Sequence, residues 1–473
     1  MYFLFVKEIS ILSIMSEIIS INKDIMETIQ NIYKNAQPED LRKLIAKHLM
    51  PTIEEMKKNA EIPTPVSLVD EMLEKIPVDF WSKPKTVLEP CCGKGNFIIG
   101  IFDKQYDGLK EYEANDIKRC ELIITKCLYY GDITALNVFI TTELLKCHIK
   151  SKTGQEEINY EFNNYVGDTL DAKFENAFKI KKFDAVIGNP PYQHTDENGR
   201  KALNHNLWSS FITELFKVIN QDGYLLFVTP NSWMSPTSKT KEVFYDNYIV
   251  YLNINECEKH FNVGSKFSYY LIQKTQKKEK TNVICLYNKV KYNSEILITD
   301  FTFLPNLLCD KSLSILHKFY HNDFEKVSFK KNFELHSSTK KTNIRNVMDK
   351  EFIYPIRHTT KNNIRYSNKK HSLSDENKIL LNLSGNLKPV YDKGKLGFTE
   401  AQMYLITDSS NFVEVINSKM YCFIFNICKW SGFNIDKIFH DIPYINEDFI
   451  DNNQIYRLFD ISDDEKLLIE AIV

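Results

Sequence analysis

The sequence predicts an α/β fold: an open sheet with helices on both faces over residues 61–280, preceded by helices and followed by a mixed α+β region. Three observations carry that expectation. Between residues 85 and 275, short apolar runs alternate with turns and longer amphipathic runs, the pattern of strands joined by helices. Two of the short runs end in chemically distinctive loops, at Glu89 and at Asn189. After about residue 280 the alternation stops, and Lys, Asn and aromatic residues dominate.

The elements follow in order. Residues 17–60 read as helices, because Ile25, Ile29, Ile32 and Tyr33 recur at helical spacing among Lys and Glu. Residues 1–14 are apolar but carry Lys7 and Glu8; they are too short and too charged to span a bilayer and lack a small-residue cleavage site, so Met15 is an alternative start. Pro63 and Pro65 mark a turn before a helix from about Ser67 to Lys75. Strands are expected at Thr86–Leu88, Tyr112–Asn115, Asn164–Gly167, Ala185–Ile187, Tyr224–Thr229, Ile249–Ile254 and Ser268–Gln273, with a helix over Leu207–Ile219. The expected domains are residues 1–60 (helical extension), 61–280 (sheet) and 285–473 (α+β).

Composition narrows the function classes. The 473 residues include 60 basic and 62 acidic side chains, 43% are hydrophobic, and the formal charge is −2. Such a chain is neither globally disordered nor collagen-like nor a polytopic membrane protein. Any polyanion site must come from local charge. Residues 330–371 hold 11 Lys/Arg against 3 Asp/Glu, and residues 436–473 hold 3 against 10. The ten cysteines form no C-x-x-C pair. That argues against a metal cluster and for reduced thiols in an intracellular, non-secreted protein.

The first motif is Thr86-Val87-Leu88-Glu89-Pro90-Cys91-Cys92-Gly93-Lys94-Gly95-Asn96-Phe97. A strand ends in an acid, glycines follow, and a helix begins. In an open α/β sheet this loop lies at the carboxyl end of a strand, where ligands bind. Only Gly93 and Gly95 fit the dinucleotide spacing, and an acid precedes them. A carboxylate repels phosphate but suits an ammonium-bearing ligand. The second motif is Phe183-Asp184-Ala185-Val186-Ile187-Gly188-Asn189-Pro190-Pro191-Tyr192. Two prolines remove two backbone donors, so nearby carbonyls stay open to an incoming amine. The Asn189 amide oxygen and the Pro190 carbonyl are the expected pair of acceptors, and Tyr192 offers a flat face to a planar ring.

Together these motifs resemble the S-adenosylmethionine-dependent amino-methyltransferases, and among them the N6-adenine DNA methyltransferases of restriction–modification systems. The resemblance covers roughly residues 61–275. It implies a Rossmann-like methyltransferase sheet and a C-terminal target-recognition domain. It also implies S-adenosyl-L-methionine as cofactor and double-stranded DNA as partner, and leaves room for a cognate restriction endonuclease acting on the same site. Residue by residue it places Thr64, Glu89, Pro90, Gly93, Gly95 and Phe97 around the cofactor. Asp116 would accept the ribose hydroxyls, with Glu113 as a rival, and Asp168 the adenine amino group. Asn189, Pro190, Pro191 and Tyr192 form the catalytic loop. Phe267 would cover the second face of a flipped-out adenine, unless it is only a core strand residue.

The two cysteines before Gly93 depart from the family's small residues, which a compact apolar thiol should satisfy. A cysteine nucleophile is set aside, because the Asn189–Tyr192 loop has no place in that chemistry. Arg345, Arg357 and Arg365 in the basic segment are expected to touch DNA phosphates, and the turns at 385–391 and 395–399 to approach the target. Methylation without cleavage is expected. Methylation of RNA adenine or protein glutamine, and a non-catalytic recognition subunit, are the alternatives.

Overall fold

The computed structural model describes residues 63–195, 201–260, 266–298, 302–336, 344–358, 364–430, 434–446 and 451–473, with the backbone alone for 193–195 and 201–206. The helices expected over 17–60 and the choice between Met1 and Met15 lie outside these residues. The chain divides into two compact units. The first takes in residues up to Pro230 with Thr240–Asn253 and Cys257–Thr281; the second is Asn231–Lys239, Ile254–Glu256 and Asn282–Val473.

In the first unit, α1 (Val66–Leu73) and α2 (Val78–Trp81) precede β1 (Val87–Glu89) and α3 (Asn96–Gly108). Then come α4 (Asp116–Leu122), β2 (Leu128–Asp132), α5 (Ala135–Thr153), β3 (Asn163–Val166), α6 (Phe174–Phe178) and β4 (Phe183–Gly188). A hairpin of β5 (Gln193–Thr195) and β6 (Lys201–Asn206) follows, then α7 (Leu207–Lys217), β7 (Ile219–Pro230), α8 (Lys241–Tyr245), β8 (Tyr248–Ile254) and β9 (Phe267–Gln273).

The strands lie side by side in the order β3–β2–β1–β4–β7–β9–β8. The pairs from β3 through β7 are parallel, and β9 runs antiparallel to β7. Ala185, Val186 and Ile187 in β4 are all buried. Successive strand residues face opposite sides, so unbroken burial means that both faces of the sheet are covered. Val186 and Ile187 each contribute about 1.5–3 kcal/mol relative to an exposed position. The strand order reverses between β1 and β4, which puts a topological switch point at their carboxyl ends.

One expected strand is absent. Residues 112–115 form a turn, and Asn115 caps α4 by accepting from the Lys118 N–H at 3.0 Å. Glu113 accepts from the Asn115 N–H at 2.9 Å, so the polar side chains here satisfy the backbone locally. The strand beside β1 is β2, whose five residues are all buried. It follows directly on a π-helical turn at Ile123–Cys127, so the apolar run 122–130 crosses from helix to strand without punctuation.

The second unit is mixed α+β. A hairpin of β10 (Thr281–Tyr287) and β11 (Val290–Ile296) turns at Asn288 and Lys289, both at positive φ. It is followed by α9 (Asp310–Tyr320), β12 (Lys326–Val327), β13 (Lys330–Lys331), β14 (Ile344–Arg345), β15 (Tyr354–Arg357) and β16 (Ile364–Ser367). Then come β17 (Asn377–Asn382), β18 (Val390–Lys393), β19 (Gly397–Phe398) and β20 (Gln402–Ile406). The chain ends with α10 (Phe412–Ile416), α11 (Lys419–Ile427), β21 (Ile442–Pro443), α12 (Asn452–Leu458) and α13 (Asp463–Ile472). Two four-stranded sheets form, β13–β20–β17–β18 and β14–β16–β15–β19. An aromatic cluster of Phe319, Tyr421, Phe425 and Phe459 fills the helical side. No helix among the described residues is long and apolar enough to cross a membrane.

Candidate active site

The site forms where β1 and β4 end. Their starts are aligned by Asp184, whose carboxylate accepts from the Thr86 N–H at 2.9 Å and hydroxyl at 3.1 Å. The parallel register Val87↔Ala185 and Leu88↔Val186 then brings Glu89 and Asn189 out at the same edge. Gly188 sits close against β1: a Cβ there would lie 3.6 Å from the Glu89 Cγ.

The loop after β1 turns through Gly93 (φ 49°) and Gly95 (φ 89°), conformations that a side chain resists. A Cβ on Gly95 would also meet the Thr141 hydroxyl at 3.1 Å. The loop is pinned to β2 by the Cys92 N–H on the Gly131 carbonyl (2.9 Å) and the Gly93 N–H on Asp132 Oδ2 (2.9 Å). The Thr169 hydroxyl donates to the buried Pro90 carbonyl at 2.5 Å. Phe97 is buried on the first turn of α3, so it supports the loop from the core.

Glu89 is 2% exposed, and its Oε2 meets no hydrogen-bond partner among the described residues. Burial pushes its carboxyl well above the ordinary carboxylate range, and nearby Asp132 adds to the effect. Asp132, at the end of β2, is 7% exposed. Its Oδ1 accepts from the Thr134 N–H at 2.8 Å and the Asn137 amide at 3.2 Å. Burial raises its pKa despite these donors. An unsatisfied buried carboxylate beside a second buried acid and a positive-φ glycine loop fits a cationic amine and a polyhydroxyl group, as S-adenosylmethionine carries.

The acid that ends the strand beside β1 is Asp132, not Asp116. Asp116 does not end a strand; it opens α4, and its side chain is 53% exposed. Its Oδ1 accepts from the Tyr106 hydroxyl at 2.7 Å and from the Arg119 guanidinium. The hydroxyl and then Arg119 hold the carboxyl below its usual value, and Tyr106 in turn is pushed up to about 12, chiefly by burial. Asp168 does follow β3, where it is exposed and closes a turn by accepting from the Leu170 N–H at 2.9 Å.

The Asn189 side chain is held at both ends. Its Nδ2 donates to the Thr64 hydroxyl at 3.1 Å, and its Oδ1 accepts from the Tyr192 hydroxyl at 2.7 Å. Its backbone carbonyl accepts from the Cys91 thiol at 3.4 Å. Thr64 also accepts, through its carbonyl, from the Asn96 amide at 2.8 Å. Thr64 therefore joins the β1 loop to the β4 loop. Behind it, α1 is tied to β9 by the Tyr269 hydroxyl, which donates to Glu71 at 2.7 Å. Pro190 is buried, and Pro191 and Tyr192 are half-buried.

Tyr192 and Phe267 are brought together, with ring centroids 5.2 Å apart at 35°. A base stacked on both rings has to lie between them, and centroids 5.2 Å apart are already in ring-to-ring contact. Phe267, 2% exposed at the start of β9, thus packs against Tyr192 itself in this state. Residues 261–265, just before it, lie outside the described residues.

The three arginines differ. Arg345 is exposed, bonded to Asp349 at 2.6 Å and stacked on Phe352 with 4.0 Å to the ring centroid. Arg365 is half-buried on β16. Arg357 is 9% exposed and donates to the Lys388 carbonyl at 2.7 Å and the Leu380 carbonyl at 3.5 Å. It is therefore a buried tie between strands, and the expectation that it touches phosphate is corrected. Among the described residues, no group of three or more His, Cys, Asp or Glu is placed to hold a metal ion.

Asp132 and Cys91 are the site residues that sequence reasoning missed. The signal for Asp132 was the apolar run Leu128-Tyr129-Tyr130 ending in Gly131-Asp132.

Residues 111–261 match the family described as Eco57I restriction-modification methylase. An uncharacterized adenine-specific methylase of Mycoplasma pneumoniae is 26% identical over 242 residues, 37% of this chain and 56% of that protein. The match thus takes in little more than half of the relative's length. A nuclease-deletion mutant of the Type ISP restriction-modification enzyme LlaGI, solved with a DNA substrate mimic, is similar with a TM-score of 0.52 at 12% identity, covering 86% of this chain and 47% of that one. The ATP-dependent Type ISP enzyme LlaBIII bound to DNA is similar with a TM-score of 0.50 at 13% identity, covering 78% and 35%. The resemblance drawn from the two motifs is borne out, and the α/β fold is one that restriction–modification methyltransferases share.

Proposed function

We propose that this chain transfers a methyl group from S-adenosylmethionine to N6 of an adenine flipped out of duplex DNA at a specific sequence, without cleaving the DNA. The observation that carries the reading is the Asn189–Tyr192 loop standing beside buried Glu89 and Asp132 at the switch point of the sheet.

Glu89 holds the cofactor's ammonium group, Asp132 its ribose hydroxyls and Asp168 its adenine amino group, with Thr64 closing over the amino-acid end. Bound there, S-adenosylmethionine supplies an electrophilic methyl group. The target amine is a weak nucleophile, because its lone pair is delocalised into the ring. Asn189 Oδ1 and the Pro190 carbonyl accept hydrogen bonds from its two N–H groups, which favours a pyramidal nitrogen with an available lone pair; after transfer the methylated nitrogen releases one proton to solvent. Catalysis then rests on positioning and fixed dipoles. The Thr64 and Cys91 contacts keep the Asn189 amide and carbonyl in place. The base must leave the duplex to reach this loop, and Tyr192 stacks on it. The second unit supplies DNA recognition, and a restriction endonuclease acting on the same sequence is the expected partner in the cell.

Incubation with methyl-tritiated S-adenosylmethionine and duplex DNA, RNA or protein tests the reading. Label confined to N6-methyladenine in DNA supports it. Label in RNA adenine or in glutamine overturns the substrate, and cofactor binding with no transfer marks a recognition subunit.

A further inference from the structure

The connection between β17 and β18 is a loop whose backbone is fixed by side chains and strands around it. Its carbonyls are bonded in turn: Leu383 accepts from the Asn434 N–H (2.8 Å), Gly385 from Lys429 Nζ (2.7 Å) and Asn386 from the Asn382 amide (3.0 Å). Leu387 accepts from the Asn382 N–H (2.9 Å) and Lys388 from the Arg357 guanidinium (2.7 Å). Gly385 and Lys388 both lie at positive φ, 68° and 43°. For lysine that conformation is unfavourable, and it persists only where the surroundings impose it, as buried Arg357 does here.

Leu383, Leu387 and Pro389 are half-buried, and the polar side chains of the segment face outward. Asn386 and Lys388 are exposed and Ser384 half-exposed, and none of the three uses its side chain in a hydrogen bond or ion pair among the described residues. Asp392, the carboxylate of β18, is buried against Lys378 at 2.6 Å, so it does not offset Lys388 at the surface.

We propose that Ser384–Lys388 is a preorganised DNA-reading loop. Asn386 and Ser384 present hydrogen-bonding groups to base edges in a groove, and Lys388 meets a phosphate or a guanine acceptor. Amide and ammonium side chains match adenine and guanine edges respectively, and a loop fixed in advance loses little conformational entropy on docking. Arg357 serves as a positioning residue that acts through the Lys388 backbone. The proposal rests on the DNA-methylation reading and assigns sequence recognition within it.

The test is genome-wide mapping of N6-methyladenine in a methylation-free bacterial host expressing the full chain or its Asn386→Ala, Ser384→Ala or Lys388→Ala variant. All three positions are at the surface, so folding is not at stake, and cofactor binding by the purified variants confirms it. The expected result is a relaxed or altered target sequence in at least one of the first two variants, with discrimination at one base pair falling about tenfold or more. Lys388→Ala should weaken DNA binding and make it less salt-dependent. Arg357→Met should raise KM for DNA with little change in kcat, and Arg357→Lys should restore part of it. An unchanged target sequence and unchanged DNA affinity in all the surface variants would overturn the proposal while leaving DNA methylation standing. Absence of N6-methyladenine with the wild-type chain would overturn the methylation reading, and the reading loop with it.

Discussion

The Tyr192 hydroxyl donates a 2.7 Å hydrogen bond to Asn189 Oδ1, the oxygen assigned to the target amine. The acceptor is therefore capped by a neighbouring side chain, and the Tyr192 ring leans on Phe267 at 5.2 Å where a base should stack. Base entry has to part the rings, and the hydroxyl competes with the incoming amine for the two lone pairs of the Asn189 oxygen. Tyr192→Phe removes the competing donor and keeps the ring. It should hold kcat/KM on duplex DNA within about tenfold of wild type or raise it, since a neutral hydrogen bond is worth about 0.5–1.5 kcal/mol. Tyr192→Ala should lose activity by more than either. Steady-state kinetics of the two variants decide this, and a collapse in Tyr192→Phe would show that the hydroxyl itself is needed.

The two aspartates make opposite predictions. Asp132→Ala removes a buried carboxylate that also holds the Gly93 N–H, and should weaken cofactor binding by about 10- to 100-fold. Asp116→Ala removes a half-exposed group bonded to Tyr106 and Arg119, and should change cofactor affinity by about twofold or less. Calorimetric titration with S-adenosylmethionine separates the cases, and the reverse ranking would restore Asp116.

Glu89 supplies a pH dependence. Its folded-state pKa is raised by burial and by Asp132, so the cofactor-free chain keeps this proton to higher pH than the unfolded chain does. Its contribution to stability is therefore full below the ordinary carboxylate range and is lost as pH rises through the folded value. A cationic amine needs the ionised form. Affinity for S-adenosylmethionine should thus increase as pH rises through the raised Glu89 value, with proton release to buffer on binding. Glu89→Gln should flatten the dependence. Titrations in buffers of different ionisation enthalpy measure the proton, and pH-independent binding by the wild type would contradict the assignment.

Thr64 accepts from Asn189 Nδ2, and this bond sets which way the amide points. Thr64→Val should lower kcat by about tenfold, the worth of one hydrogen bond, and leave DNA binding unchanged. Equal kcat in the variant would mean that Tyr192 alone orients the amide.

Much of the site was legible because its chemistry is local in sequence. Glu89 and Asn189 each follow their own strand directly, so strand, acid and amide could be read together. The neighbour of β1 was not legible. A capped helix and a π-helical turn intervene between α3 and β2, so the acid that ends the strand beside β1 is Asp132, 43 residues beyond Glu89. Composition also misled on Arg357. A basic segment says nothing about which guanidinium the pairing of β15 with β16 and β19 will bury. The contact between Tyr192 and Phe267 joins residues far apart in the chain, and only the meeting of the β4 loop with the start of β9 creates it.

The most direct measurement is single-turnover methyl transfer to adenine N6 in duplex DNA by the wild type and Asn189→Ala, with S-adenosylmethionine affinity measured on both. Loss of one positioned acceptor should slow transfer by about 10²–10³-fold or more. Cofactor affinity should stay within a few-fold, because Glu89 and Asp132 are untouched. A variant that methylates DNA adenine at near the wild-type rate would contradict the account.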